Sequence, residues 1–177
     1  MKLTLACFVL VLGAVPMVAV DPIPSDRDPR VTNSANPNVT YPINPNVTYS
    51  INPNVTYSIN PNVTYSINPN VTYSLNPKVN YSINPNVTAS LNPTKAKWSG
   101  YFIFDRKLAL VGIAVRANQD VLLLFNSQIE WIGYFVRAEK NFNLFDLDGE
   151  WTGFLSENSK GAYNYFTIQG EWLWFLT

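Results

Sequence analysis

The sequence predicts an all-β protein: an antiparallel meander of about eight short strands, preceded by a disordered or extended octapeptide-repeat region. Two observations carry this prediction. Proline recurs every eight residues through the first half of the chain, and all 13 prolines lie before residue 94. The proline-free remainder holds nine of the ten phenylalanines and all five tryptophans. Proline removes backbone donors, whereas aromatic and β-branched residues favour strands. Residue 94 therefore begins a separate domain.

The composition excludes most enzyme classes. The 177 residues include 12 basic and 12 acidic side chains, no histidine and one cysteine, Cys7, which lies in an apolar leader. A mature chain without thiol or imidazole has no disulfide, no Cys or His nucleophile, no Ser-His-Asp triad and no ordinary zinc site. Zero net charge without a basic cluster argues against nucleic acid. We expect a non-enzymatic protein with no cofactor, no metal site and no nucleic-acid partner.

Residues 1–20 resemble a secretory signal peptide, because about eighteen mostly apolar residues follow Lys2. This stretch is at the short end of the ~20 residues that a membrane span requires, so an uncleaved anchor is the alternative. We expect cleavage, secretion to the extracellular space and no membrane span thereafter. Residues 21–35 form a linker or short propeptide; the Arg27 and Arg30 pair has the spacing that a trans-Golgi convertase could cut, but a solvated linker is the simpler interpretation.

In residues 36–93, Asn-Pro recurs eight times at a spacing of eight residues, with the octapeptide consensus N-P-N-V-T-Y-S-I. A period this strict indicates a repeat architecture. Each Asn-Val-Thr is a sequon for N-glycosylation. The sixth copy has Lys78 in place of the acceptor asparagine but gains Asn80-Tyr-Ser, and no sequon lies outside the repeat. The predicted acceptors of N-linked glycans are Asn38, Asn46, Asn54, Asn62, Asn70, Asn80 and Asn86.

The octapeptide predicts a turn at Asn-Pro-Asn, because proline fixes φ and asparagine side chains bond back to the backbone. Val39, Tyr41 and Ile43 alternate with other residues in a period-two pattern that could form a short strand. Two architectures follow: a stacked-turn array or β-solenoid, and a disordered stalk that carries glycans. Recurrent proline and crowded glycans favour the stalk. An unglycosylated flexible spacer is a third alternative.

Six tyrosines recur at eight-residue spacing in the repeat. In composition, this segment resembles the Tyr- and Pro-rich repeats of secreted adhesive and cross-linked matrix proteins, although it lacks the lysine richness common in such adhesives. The resemblance covers only the repeat and implies an adhesive or cohesive role, with cross-linking through oxidised tyrosine. The tyrosines are Tyr41, Tyr49, Tyr57, Tyr65, Tyr73 and Tyr81.

Residues 94–177 predict one small β domain. A pattern F-x-x-(Q/D)-(I/G)-E-W begins at Phe125, Phe145 and Phe166, so it recurs at a nearly constant spacing. Asp148-Gly149 and Gln169-Gly170 predict two-residue type I′ hairpins. Eight such strands can close into a small barrel, which removes exposed edges, or form a roll or sandwich; we expect the barrel or roll. The strands are expected near residues 98–104, 108–115, 121–127, 130–136, 142–147, 150–155, 163–168 and 171–176.

The Asp-Gly turn also predicts a register. Leu144 should face Gly153, with Trp151 on the same side of the sheet, so that the glycine leaves room for a large side chain. The glutamates of the pattern, in contrast, predict no active site. Because they recur at one repeat position, they occupy like environments, whereas glycosidic hydrolysis needs two carboxyl groups in unlike ones.

A carbohydrate-binding site is the alternative function for the β domain. Aromatic side chains stack on sugars, and amides and carboxylates bond sugar hydroxyls; repeated β-hairpin lectins use such combinations once per repeat, and the pattern resembles theirs in general form. Core packing is the competing explanation for the aromatics. The predicted ligand-binding residues are Trp131, Trp151, Trp172, Gln128, Asp148 and Gln169.

The sequence as a whole predicts a secreted glycoprotein with a structural, matrix, coat or adhesive role. A glycosylated repeat stalk would carry the small β domain. The expected partners are N-linked glycans on the repeat and an extracellular carbohydrate or matrix.

Overall fold

The computed structural model describes residues 23–94, 98–158 and 161–177. Eight short 3-10 helices lie between Asn33 and Leu91, the first of them just before the repeat, and eight β-strands follow. The predicted signal peptide and the alternative anchor lie outside the described residues. Within the described ranges, no helix has the length and apolar character needed to cross a bilayer.

The eight strands form a closed antiparallel barrel in which each strand pairs with its neighbours in sequence and the last strand closes onto the first. Closure leaves no unpaired edge. The predicted all-β class is confirmed, and each strand end lies within three residues of its predicted position. The strands are β1 Tyr101–Asp105, β2 Leu110–Arg116, β3 Val121–Asn126, β4 Trp131–Ala138, β5 Asn141–Asp146, β6 Trp151–Glu157, β7 Tyr163–Thr167 and β8 Trp172–Leu176.

Four hairpins of one design lie at the same end of the barrel, joining β1 to β2, β3 to β4, β5 to β6 and β7 to β8. In each, a side-chain oxygen at the end of the first strand accepts a backbone N–H from the other side of the turn. The third turn residue has a positive φ in all four. The accepting residues are Asp105, Asn126, Asp146 and Thr167, and the positive-φ residues are Leu108, Ile129, Gly149 and Gly170. The hairpin design thus has a fourth copy, beginning at Phe104.

The two-residue type I′ turns predicted at Asp148-Gly149 and Gln169-Gly170 are wrong. A type I′ turn needs a positive φ at both central residues, but only the glycines have one, at 85° and 81°. Each turn has three residues instead. The Asp146 carboxylate accepts the N–H of Glu150 at 2.9 Å, which favours the longer turn with a glycine at its third position.

One extra residue follows each hairpin and decides which side the tryptophan faces. Phe145 pairs with Trp151 and Leu144 pairs with Gly153, so Thr152 is a β-bulge. The predicted register of Leu144 and Gly153 is confirmed. The prediction that Trp151 shares their side is wrong, because the bulge turns the indole to the outer surface, where it joins a different apolar cluster.

The barrel is apolar both inside and outside. One buried cluster draws on all eight strands and fills the interior. Two further clusters face outward: one on β2 to β5 includes Leu75 and Ile83 of the repeat, and one on β1 and β6 to β8 has Ile23 packed against it. The repeat region therefore covers the outside of the barrel. The interior residues are Ile103, Ala114, Leu122, Leu124, Phe135, Phe142, Leu144, Leu155, Tyr163, Tyr165 and Leu176.

Residues 23–94 run along the outer surface of the barrel, and we call this segment the strap. In each copy a turn at Asn-Pro-Asn-Val is followed by a 3-10 helix that contains the tyrosine, serine and isoleucine positions. The short strand predicted for Val39, Tyr41 and Ile43 is wrong, because local backbone bonds close a turn there. The 3-10 helices are Asn33–Ala35, Tyr41–Ile43, Tyr49–Ile51, Tyr57–Ile59, Tyr65–Ile67, Tyr73–Leu75, Tyr81–Ile83 and Ala89–Leu91.

Polar side chains of the octapeptide link successive turns of the strap. Asn44 accepts the backbone N–H of Asn46 on its side-chain oxygen at 2.9 Å and donates its Nδ2 to the Pro37 carbonyl at 3.1 Å. Thr48 donates its hydroxyl to the Tyr41 carbonyl at 2.8 Å. Equivalent links recur along the strap. These bonds satisfy a backbone that has no sheet partner.

The hydroxyl of Tyr134 is buried under the strap without a hydrogen-bond partner among the described residues. Burial raises the pKa of this phenol. We expect Tyr134→Phe to stabilise the protein by about 1 kcal/mol, because it removes an unsatisfied buried polar group and keeps the ring. The advantage should widen above pH 10, where an unfolded tyrosine ionises while the buried one stays protonated. Urea unfolding at pH 8 and pH 10.5 measures both effects; a less stable variant at pH 8 would contradict the prediction.

Candidate functional site

Sequon asparagines of the strap bind carbonyl groups of the barrel hairpins. Five of them donate Nδ2 to a turn residue at 2.6 to 3.0 Å, and we call these five the clamp asparagines. Each bond joins residues at least 43 positions apart in the chain, so the contacts define tertiary structure. The pairs are Asn38 with Gly170, Asn46 with Ile168, Asn62 with Gly149, Asn70 with Leu147 and Asn86 with Ile129.

The strap and the barrel share one register. Asn38, Asn62 and Asn86 are separated by three octapeptides each, so three octapeptides span the step from one hairpin to the next. The same step along the barrel, from Ile129 to Gly149 or from Gly149 to Gly170, takes 20 or 21 residues, which include two strands. The strap runs against the order of the hairpins: its first copies contact the β7–β8 turn and its seventh contacts the β3–β4 turn.

Two buried asparagines of the barrel also anchor the strap, and in these contacts the barrel donates and the strap accepts. Asn143 donates its Nδ2 to the Ile51 carbonyl at 2.9 Å, and Asn164 donates to the Arg27 carbonyl at 3.0 Å. The two acceptors are again separated by the length of three octapeptides. Sequence reasoning missed this role, although a polar residue inside the apolar runs N-F-N-L-F and Y-N-Y-F was a signal that a buried partner exists.

The three tryptophans predicted to bind sugar are part of the bulges. Each indole Nε1 donates at 2.8 Å to the carbonyl two residues further on. Arg30 of the strap lies 4.8 Å from the ring centre of Trp172, and Lys78 lies 5.5 Å from that of Trp131. These two rings are covered by cations of the same chain, which stabilises the strap. The indoles therefore have packing and hydrogen-bonding roles. The three are Trp131, Trp151 and Trp172.

Gln128, Asp148 and Gln169 are exposed in the middle of their turns. They lie on three different hairpins, and each neighbouring indole packs against the outer apolar clusters. The structure thus does not gather the six predicted ligand-binding residues into one pocket. Carbohydrate binding by these residues stays a prediction.

A cleft of about 220 Å³ opens where the strap begins, lined by Arg30, Arg106 and Trp172 among others. Arg30 bonds the buried carboxylate of Asp28, which lowers the pKa of that group. Arg106 lies 3.9 Å from Glu171. Each arginine is thus paired with a carboxylate, so the cleft has no excess charge that would select an ion.

The strap exposes apolar side chains in a periodic pattern, interspersed with exposed asparagine and serine side chains. Its tyrosines are 59–75% exposed, and the valines of the octapeptides are 52–60% exposed. Among the other described residues, only Val31, Leu108, Leu110 and Ile132 are large, apolar and exposed. We call the periodic surface the ridge: Val39, Tyr41, Val47, Tyr49, Val55, Tyr57, Val63, Tyr65, Val71, Tyr73, Val79, Tyr81 and Val87.

The ridge presents phenol and isopropyl groups at a fixed spacing along the strap. In the part of the chain that the structure describes, no group of three or more acidic or cysteine side chains could hold a metal ion. Comparison of the chain with protein-family models, curated proteins and solved structures gives no match.

Proposed function

We propose that this protein is a secreted, non-enzymatic structural component of an extracellular matrix or coat and adheres to it through the ridge. The exposure of tyrosine and valine in turn after turn of an ordered strap carries the proposal. Monomeric proteins rarely expose contiguous apolar patches larger than a few hundred Å², and such patches mark interaction surfaces.

The barrel beneath the ridge lowers the entropic cost of adhesion. Clamp asparagines and buried aliphatic side chains hold the strap on a closed barrel, so the tyrosines are displayed without the ordering cost of a flexible chain. Tyrosine combines an apolar ring with a hydroxyl that bonds polar partners, which is why it is enriched at interfaces. In this proposal the barrel is the scaffold and the strap is the working surface.

The compartment is proposed from the sequence. Residues 1–20 resemble a signal peptide, and the mature chain has no cysteine that an oxidising environment would modify. N-linked glycans and an extracellular matrix remain the proposed partners. The strap is bound to the barrel through the repeat, so in this proposal the repeat is a presented surface rather than a spacer.

A variant with all six ridge tyrosines changed to serine tests the proposal. We expect its adsorption to films of insoluble polysaccharide or matrix protein to fall at least tenfold, because each buried tyrosine contributes about 1 kcal/mol at an interface. The melting temperature should stay nearly constant, since these side chains are exposed. Adsorption is measured with a quartz crystal microbalance.

The matched control changes serines of the same turns, such as Ser50, Ser58 and Ser66, to alanine. These residues are exposed beside the tyrosines, so adsorption and stability should both match the parent protein. If the tyrosine variant adsorbs as strongly as the parent, the ridge is not the adhesive surface and the proposal fails.

A further inference from the structure

Asn54 differs from the other sequon asparagines in the contacts of its side-chain amide. The five clamp asparagines bind hairpin carbonyls, and Asn80 donates its Nδ2 to the Ser74 carbonyl at 2.7 Å. Asn54 is exposed, and its Nδ2 has no hydrogen-bond partner among the described residues. Its nitrogen is thus available for a covalent bond, whereas the other six are engaged.

The register of the strap explains why Asn54 stands apart. Arg30, Asn54 and Lys78 are separated by three octapeptides each, and each lies one octapeptide before a clamp asparagine. At this position of the strap, the side chain makes no described hydrogen bond to a hairpin carbonyl. Because no clamp hydrogen bond is made at this position of the strap, a lysine replaces asparagine there in the sixth copy without loss of a hairpin contact.

The same register assigns a neighbour to Asn54. Arg30 covers the ring of Trp172 and Lys78 covers that of Trp131. The corresponding ring of the β5–β6 hairpin is Trp151, over which no described cation lies. A sugar face packs on an indole face as a cation does, through the polarised C–H groups of the sugar and the ring electrons.

Glycosylation of a clamp asparagine conflicts with the fold. N-glycosylation forms a bond between Nδ2 and the anomeric carbon of the sugar, breaks the bond from that carbon to the diphosphate of a lipid-linked donor, and releases a proton from Nδ2 to a base of the transferase. At Asn62 the acceptor nitrogen lies 2.8 Å from the Gly149 carbonyl, and a Cβ added at Gly149 would lie 2.5 Å from the Asn62 side-chain oxygen. The hairpin thus lies against one side of the Asn62 amide, and a sugar on Nδ2 would compete with this contact.

We propose that Asn54 is the N-glycosylation site of the folded protein, with its innermost sugar packed over Trp151, and that the other Asn-Val-Thr tripeptides act as clamps. The inference rests on the proposed secretion for its biological occurrence, since the transferase lies in the secretory pathway. The chemistry of site choice is a property of the fold and is tested without secretion.

The test uses protein made in bacteria without glycans, as residues 21–177. A bacterial N-glucosyltransferase that accepts Asn-x-Thr in completed chains is supplied with UDP-glucose, and fragmentation by electron transfer locates the added hexose. We expect one hexose on Asn54 in the folded protein and up to six hexoses in urea-denatured protein. Hexose on Asn38 or Asn62 of the folded protein, or none on Asn54, overturns the proposal.

Two variants serve as controls. Asn54→Gln should remove the modification of the folded protein, whereas Asn62→Gln should leave the hexose on Asn54. In the modified protein the hexose protons should shift upfield in NMR spectra relative to the denatured form, because they lie over the Trp151 ring; unshifted protons contradict that contact. Expression in animal cells then asks separately whether the chain is secreted, and a chain retained in the cells counts against the proposed function alone.

Discussion

Residues 94–177 expressed alone are expected to aggregate instead of forming a soluble monomeric barrel. The reason is the apolar outer surface of the strands. Leu123, Phe125 and Phe145 are 2% exposed or less, and they belong to an outward-facing cluster that strap residues complete. Without the strap these side chains form a contiguous patch of the kind that drives association.

Some of the aliphatic side chains that cover the barrel are as well buried as its own core, and others, such as Ile59 and Ile67, are partly buried. Ile51 and Leu75 of the strap are only 2% and 3% exposed. On the opposite side, Phe104 stacks on Phe175 at 5.6 Å beneath the start of the strap. Burial of this order contributes roughly 1.5–3 kcal/mol for each large side chain. We therefore expect the strap and the barrel to unfold as one cooperative unit.

Size-exclusion chromatography with light scattering tests this expectation on residues 94–177 and 23–177. The longer chain should be monomeric and melt cooperatively, and the shorter should elute as oligomers. Adding residues 23–93 as a separate chain during refolding should restore a soluble complex of one strap with one barrel. A monomeric short chain that melts at the temperature of the long one would show that the strap is dispensable.

The barrel was predictable because its signals are local. Turn residues recur at nearly regular intervals and the intervening runs are rich in β-formers, so strand positions follow from the sequence alone. The run V-L-L-L-F of β3 contained a further signal, since a strand buried on both faces is a continuous apolar run rather than an alternating one. That signal implied a cover over the outer face.

The position of the strap was not predictable in the same way. Its contacts join residues separated by 43 to 137 positions and depend on the match between three octapeptides of the strap and one hairpin step of the barrel. The tripeptide Asn-Val-Thr also has two possible roles. It is a glycan acceptor by motif, but here the asparagine holds a hairpin and the threonine links two turns. The sequence alone indicated only the role of glycan acceptor and favoured a free stalk.

The prediction of the turn type was wrong for a different reason. Asp148-Gly149 is the strongest short signal for a two-residue hairpin, but Asp146 two positions earlier accepts two backbone N–H groups, from Asp148 and Glu150. A side chain that bonds the turn from outside the dipeptide thus changes both its length and the side that Trp151 faces.

Gly153→Ala is expected to destabilise the protein by about 3 kcal/mol, or to lower its melting temperature by about 10 °C. A Cβ on this residue would collide with the Phe166 carbonyl oxygen and would lie 2.6 Å from the Tyr165 hydroxyl. The carbonyl belongs to the sheet backbone and has no room to move without breaking the pairing of β6 with β7. Thermal melting followed by far-ultraviolet circular dichroism measures the shift.

Gly161→Ala is the matched control. Gly161 has a positive φ of 78°, but no atom of the described residues lies within 4 Å of its missing Cβ. Its replacement should cost only the backbone penalty of a left-handed residue, about 1–2 kcal/mol. A larger loss of stability at Gly161 than at Gly153 would mean that the clash with the Phe166 carbonyl does not limit the sheet.

Glycines at the equivalent position recur around the barrel. The residue after the bulge is Gly112, Gly133 and Gly153 in three hairpins, and a Cβ would lie within 2.7 Å of a carbonyl on the next strand at each. Only the fourth hairpin, where β8 closes onto β1, has Trp174 there, and its ring stacks on Tyr165 at 4.5 Å. Gly112→Ala should therefore match Gly153→Ala, because the bulges bring neighbouring strands equally close. A near-neutral Gly112→Ala would restrict this close approach to one side of the barrel.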